Sequence, residues 1–195
     1  HGVNVAGFAV WITGLPGSGK SALARGLERE LAARGLNVVR LSMDERRTTW
    51  FPEPRYDEDE RRRAYELLLD EAAAFVDQGR GVILDATAHR LAVRHAARAR
   101  IPRFAEIHVR CDLDTAMRRE AGRPQGLVMA GLYEKALERR RSGRAVEGLG
   151  QVIGVDVPFE QDPGAECVID NTNLAKEQTL ARALAFLGPW LAEVR

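Results

Sequence analysis

The sequence predicts an α/β fold over residues 1–195: a parallel sheet of about five strands flanked by helices, with a lid region. Two observations predict it. Short apolar runs alternate with segments whose apolar residues recur every three or four positions, the pattern of strands joined by crossover helices. No repeat, low-complexity tract or linker divides the 195 residues, a length that fits one domain with a sizeable core.

The elements follow in order. Phe8–Thr13 reads as a buried strand and Ser21–Ala33 as a helix with Leu23, Leu27 and Leu31 on one stripe. Asn37–Ser42 is a second strand. Glu60–Gln78 is a long helix carrying Tyr65, Leu68, Leu69, Ala72 and Val76 at helical spacing, broken by Gly79 and Gly81 before the strand Val82–Asp85. Leu91–Arg100 is helical, Ala105–Arg110 a fourth strand, Leu113–Ala121 and Gly131–Ser142 helices, Cys167–Asp170 a last strand and Ala175–Leu187 a closing helix. Gly122–Ala130 and Gly143–Pro163 are too long for ordinary connections. Such loops are either disordered or lids, and a lid is expected over about 119–163.

Composition narrows the partners. Lys plus Arg total 29 against 28 Asp plus Glu, a net charge of +1, which gives no bulk attraction to nucleic acid or to an anionic membrane. Only Lys20, Lys135 and Lys176 are lysines. Arginine is the better fork for phosphate, sulfate and carboxylate, although a high-GC genome gives the same bias. Cys111 and Cys167 form no CxxC or metal-like pattern. No apolar run approaches the ~20 residues that cross a bilayer, and no signal-peptide pattern appears. The default expectation is a reduced, cytoplasmic protein.

Gly14-Leu15-Pro16-Gly17-Ser18-Gly19-Lys20-Ser21 fits GxxxxGK[ST] at every position, and it lies between an apolar strand and an amphipathic helix. The glycines let backbone N–H groups curl around a phosphate while the helix, opening with Ser21 and Ala22, aims its positive end at the same anion. Lys20 is expected on the outer phosphates of ATP and the Ser21 hydroxyl on Mg²⁺. The acceptor is left open by this loop.

Phosphoryl transfer also needs an acceptor hydroxyl held in line and a carboxylate beside it. Asp44, just after the second strand, is one candidate; the competing reading is a helix N-cap. Asp85 is the other. "GVILDAT" is four apolar residues and then an acid at a strand end, where many P-loop enzymes hold a carboxylate linked to Mg²⁺; the competing reading is again a cap. Arg61, Arg62 and Arg63 form a run at the start of a helix. Arg118, Arg119 and Arg123 lead into the long loop, a place for a lid that supplies cations, and Arg139, Arg140, Arg141 and Arg144 either reach the same space or cover a solvated helix end. His89, His95 and His108 lie on unrelated elements and suggest no metal site. Trp50, Phe51 and Tyr56 fall in an expected loop, where they either stack on a base or pin the loop.

Longer segments carry a resemblance. Trp11–Leu36 resembles adenylyl-sulfate (APS) kinases, whose loop typically reads W-x-T-G-L-S-G-[SA]-G-K-[ST] followed by L-E-x-x-L-x-x-x-G. "LSMDERR" (Leu41–Arg47) falls where that family has L-D-G-D-x-x-R, and "CDLDTAMRRE" (Cys111–Glu120) resembles P-L-E-x-C-E-x-R-D. "GLYEKA" (Gly131–Ala136) resembles G-L-Y-x-K-A, and "VIGVDVPFE" (Val152–Glu160) resembles F-T-G-I-x-x-P-Y-E. The resemblance implies ATP-dependent phosphorylation of the 3′-hydroxyl of APS to give PAPS, on a P-loop kinase fold that commonly forms a homodimer. It places Asp44, Arg47 and Arg61 at the acceptor, Arg119 on the ATP side, and Lys135 with Val152, Ile153, Gly154 and the segment to Glu160 over the substrate.

The departures cluster on the acceptor side. Ser42 stands for the first acid of D-G-D, Ala64 for an asparagine, Val152 for the aromatic of F-T-G-I, and Asp85-Ala86-Thr87 for a serine-proline. About ten residues, roughly Ala121–Ala130, extend the loop before GLY. VILDAT also resembles a segment of polynucleotide- and sugar-type P-loop kinases, so Asp85 is expected to supply the carboxylate missing at Ser42. Two other readings are a small-molecule kinase with a different hydroxylated acceptor and a non-catalytic nucleotide-binding domain.

Overall fold

A computed structural model describes residues 6–122, 131–146 and 149–193. Five strands, β1 (Phe8–Thr13), β2 (Val38–Ser42), β3 (Gly81–Asp85), β4 (Phe104–Arg110) and β5 (Cys167–Asp170), form one sheet in the order β2-β3-β1-β4-β5, with every pairing parallel. The helices are α1 (Lys20–Ala33), α2 (Met43–Trp50), α3 (Glu58–Asp77), α4 (Leu91–Arg100), α5 (Leu113–Ala121), α6 (Leu132–Ser142) and α7 (Lys176–Ala192). The parallel sheet of five strands flanked by helices expected from the sequence is the one observed.

Alternation along β1 divides the core between the two sheet faces. Ala9 and Trp11 pack with Leu68, Ala72 and Ala97 beneath α3 and α4. Phe8, Val10 and Ile12 pack with Leu23, Leu27, Leu31, Ala183 and Leu187 beneath α1 and α7. A smaller cluster joins Tyr133 and Ala136 of α6 to Val152.

Three expectations need correction. Trp50, expected in a loop, ends a helix over residues 43–50 whose N-cap is Ser42, its hydroxyl accepting from the Glu45 N–H, so Asp44 is not the cap but sits in the first turn. Helix α3 begins at Glu58 because the Asp57 carboxylate accepts from Glu60 N–H at 2.8 Å. Acids therefore fill the dipole-favoured first turn, and the arginine run lies one turn in. Helix α7 passes Leu187 and continues through Pro189 to Ala192, held because Trp190 and Leu191 pack on the core and Arg103 donates to Leu191 O at 2.6 Å.

The sheet interior also contains an ion pair. Arg94 of α4 and Glu106 of β4 are both fully buried and meet at 3.0 Å. The same Glu106 carboxylate accepts from the Thr13 hydroxyl at 2.7 Å, and Arg94 also donates to Glu160 O. The Phe159 ring meets the Arg94 guanidinium at 4.8 Å and stacks on His108 at 4.7 Å.

His89 and His108 are each 5% exposed. Burial, helped by Arg61 and Arg90 around His89 and by Arg94 and Arg110 around His108, pushes both imidazoles from 6.5 down to about 4. The unfolded chain protonates them below 6.5 while the folded chain does not, so stability is full above that pH and falls as pH drops toward 4. The urea midpoint is expected to fall steadily between about pH 6.5 and about pH 4.5, and His108→Gln to flatten the slope. A midpoint independent of pH across that window contradicts the assignment.

Candidate active site

The loop between β1 and α1 opens beside the carboxyl ends of the central strands. Gly19 is the N-cap of α1 with φ +101, and Gly17 has φ +81 with the Ala116 carbonyl so near that a Cβ would lie 2.3 Å from it. Only glycine meets both demands at position 17. Lys20 Nζ donates to Leu15 O at 3.1 Å across the loop.

The loop is fastened from three sides. Asn171, just past β5, donates to Ser18 O at 2.6 Å. Arg119 of α5 donates to the same carbonyl at 3.2 Å, to Asn171 Oδ1 at 3.2 Å and to Asn171 O at 3.0 Å. Tyr133 of α6 donates its phenol proton to Pro16 O at 2.6 Å, and burial pushes that phenol beyond the usual range. Tyr133→Phe removes this bond at a cost of about 1 kcal/mol. It is expected to raise the KM for ATP about fivefold with the KM for the acceptor unchanged. Initial-rate kinetics check it, and an unchanged KM for ATP contradicts the link.

Asp85 ends β3 directly behind the loop. Its carboxylate accepts from the Ser21 hydroxyl at 2.7 Å, and it is 6% exposed. Burial raises its pKa, opposed by the Lys20 charge and the Ser21 hydrogen bond. Ser42 is its direct partner across the β2–β3 pairing. The residue that replaces an acid in one strand thus adjoins an acid in the next.

One cleft of about 980 Å³ joins these groups to the acceptor-side candidates. Lys20, Ser21, Ala22 and Asp85 line it with Asp44, Arg47 and Arg61, and so do Val152, Ile153 and Arg119. Asp44 is exposed on the first turn of α2. Arg47 meets Glu60 at 3.3 Å and lies 5.7 Å from the Tyr56 ring. Arg61 donates to Gln151 O at 2.9 Å, which ties α3 to the segment after α6, and burial lowers its pKa. Arg139 secures that segment through Leu149 O, Gly150 O and the Asp156 carboxylate.

Some expected residues lie elsewhere. Gly14, Leu15 and Ser18 shape the loop without lining the cleft, and Gly154 packs between Leu15 and Leu113. Lys135 is exposed on α6 and is absent from the cleft lining. Trp50 and Phe51 pack on the core, and only Tyr56 of that aromatic group reaches the cleft. Arg123 and the rest of 123–130, in the expected lid, lie outside the described residues. Tyr65, Thr87, His89 and Arg40 line the cleft unanticipated. Tyr65 read as a core position, yet its hydroxyl accepts from Ala88 N–H at 2.8 Å at the cleft wall.

A loop of backbone amides followed by a lysine and a hydroxyl, at the head of a parallel sheet, is built to hold the outer phosphates of a nucleoside triphosphate. Facing it across one cleft is a wall of arginines with a carboxylate, and the molecule is a P-loop kinase by that arrangement. The sequence pattern of the family described as Adenylylsulphate kinase matches residues 6–170, and the chain belongs to that family. It is 34% identical over 182 residues to an adenylyl-sulfate kinase of Geotalea uraniireducens, covering 92% of this chain and 80% of that one. A probable bifunctional SAT/APS kinase 2 of Sorangium cellulosum is 32% identical over 94% of this chain, which spans 29% of that longer protein. The Mycobacterium tuberculosis APS kinase CysC, solved in complex with AMPPNP and APS, superposes with a TM-score of 0.75. At 24% identity, over 94% of this chain and 99% of that one, it supports the fold alone. No helix among the described residues is long and apolar enough to cross a membrane.

Proposed function

We propose that this chain transfers the γ-phosphoryl group of ATP to the 3′-hydroxyl of adenylyl sulfate, giving PAPS and ADP. The observation that carries the reading is the single cleft that joins the Lys20–Ser21–Asp85 group to Asp44, Arg47 and Arg61, in a chain of this family. The fold class implies Mg²⁺. The donors present suit it, since a hydroxyl and a carboxylate 2.7 Å apart beside the phosphate loop are hard oxygens of the kind that hold Mg²⁺ with substrate phosphates. Ser21 and Asp85 would hold the ion, which when bound neutralises charge on the transferring phosphates.

The chain's own groups do the rest. Loop amides of residues 14–21 cradle the phosphates and Lys20 bridges the outer ones. Arg47 and Arg61 bind the acidic part of the acceptor, and Tyr56 offers a ring face to its base. Asp44 orients the 3′-hydroxyl and receives its proton as that oxygen bonds to the γ-phosphorus and the bond to the β-phosphate oxygen breaks. Arg119 acts on the ATP side by fixing the loop from behind. Lys135 comes over the substrate only if the lid helix closes further. The kinase domain spans 1–195 and works as a cytoplasmic homodimer.

ADP release from Mg-ATP, measured alone, with APS and with a panel of hydroxylated metabolites, tests this reading. Stimulation by APS above every other acceptor is expected. Stronger stimulation by another metabolite moves the acceptor assignment to the reading that Ser42, Ala64 and Asp85-Ala86-Thr87 favour, a related kinase with a different substrate.

A further inference from the structure

A second cavity, of about 300 Å³, lies between α3 and α4. Its apolar wall is formed by Leu69, Val93 and Ala96, and it shares Arg61, Tyr65 and His89 with the main cleft. Its acids are already engaged. Glu58 pairs with Arg90, and Glu66 with Arg63 at 3.1 Å.

Of its donors, Arg62 and Arg90 are held by Asp59 and Glu58 and Arg61 Nη2 by Gln151 O, but two buried nitrogens are left over. Arg61 Nη1 has no hydrogen-bond partner among the described residues and stands 3.7 Å from Glu58 Oε2. His89 is 5% exposed, and its buried Nε2 also has no partner among them. The Tyr65 hydroxyl accepts from Ala88 N–H and keeps its own proton for another acceptor. Ala88 is held at φ +50, a left-handed conformation rare outside glycine and a few polar residues. Strained backbone of this kind persists where its surroundings fix it, and it clusters at ligand sites. Buried donors without partners are costly, so a ligand bringing oxygens to them recovers that cost.

We propose that the α3–α4 cavity is a binding site for a small carboxylate with an apolar body, its oxygens meeting Arg61 and His89 and its body lying on Leu69, Val93 and Ala96. The volume is at the small end for ligand pockets and suits a single ring or a branched chain. A guanidinium supplies only donors, and the neutral imidazole adds one N–H, which selects an anion over a neutral polar group. Because the three shared residues also face the acceptor half, an occupant is positioned to alter acceptor binding. The binding itself does not depend on which acceptor the kinase uses, so the two readings fail separately.

The test is titration of the full chain with benzoate, and with benzyl alcohol as a neutral control of similar shape, followed by amide and imidazole NMR. Saturable benzoate shifts at Ala88, His89 and Val93, with benzyl alcohol at least about tenfold weaker, are expected. Val93→Trp, which fills the cavity, abolishes those shifts and leaves ADP affinity unchanged. No saturation, equal response to the alcohol, shifts confined to the phosphate loop, or binding that survives Val93→Trp overturns the proposal. Shifts at the same amides that grow with protein concentration in the absence of benzoate also overturn it, because a second copy then covers the cavity.

Discussion

Replacing Asp85 by asparagine is expected to lower kcat by about two to three orders of magnitude, the usual loss when one preorganised charge is removed from a reacting centre. The fold is expected to survive. Asp85 is buried and its ionised form is disfavoured by that burial, so a neutral amide of the same shape removes a desolvation cost and still accepts from Ser21. The loss is thus specific to a charged oxygen facing the phosphates, and Mg²⁺ should no longer tighten ADP binding in calorimetry. Near-normal turnover with an intact Mg²⁺ effect rejects this role. The pairing of Ser42 with Asp85 across β2 and β3 adds a sharper check. Asp85→Ser alone should be crippled, and Ser42→Asp in the same chain should restore at least about tenfold of the loss by returning a carboxylate to the adjacent position.

Arg94→Met is expected to destabilise the protein by about 3–5 kcal/mol, the cost of leaving one member of a buried pair without its partner. Glu106 would keep the Thr13 hydroxyl but lose the buried guanidinium it pairs with. At this chain length such a loss lowers Tm by about 10 °C. Calorimetry on Arg94→Met, on Glu106→Gln and on the double variant reads it out. Two costly single changes with a double variant well below their sum are expected, because removing both charges leaves nothing unpaired. A single-variant cost under about 1 kcal/mol contradicts the account. The pair matters to function through its partners. Thr13 is the residue before the phosphate loop, and Arg94 also holds Glu160 O, so one network fixes both the loop's entry and the backbone at Glu160.

The strands were legible because each is built on a short, largely apolar run between helical patterns, and all five appear within a residue of their expected bounds. Helix α2 was not, because MDERRTTW buries only Met43 and shows no apolar stripe; its Ser42 cap and first-turn acids were the available signal. In the site, the phosphate loop is contiguous and its chemistry could be read outright. Asp85 announced itself as an acid closing a buried strand. What contiguity could not supply was register. That Ser42 adjoins Asp85 follows from strand order, and that Asn171 braces Ser18 from 153 positions away follows from β5 being an edge neighbour of β4. Tyr65 was hidden by its helical spacing, since periodicity reports where a ring packs and not where its hydroxyl ends. Lys135 is the reverse case, a motif match that is exposed on α6 and does not line the cleft.

The central claim is that the acceptor-side wall presents the 3′-hydroxyl of adenylyl sulfate to ATP held by the loop. ADP release measured with APS against its 3′-deoxy analogue tests it most directly. The account predicts strong stimulation by APS and none by the analogue, which instead inhibits competitively; equal release with both, or none with either, contradicts it.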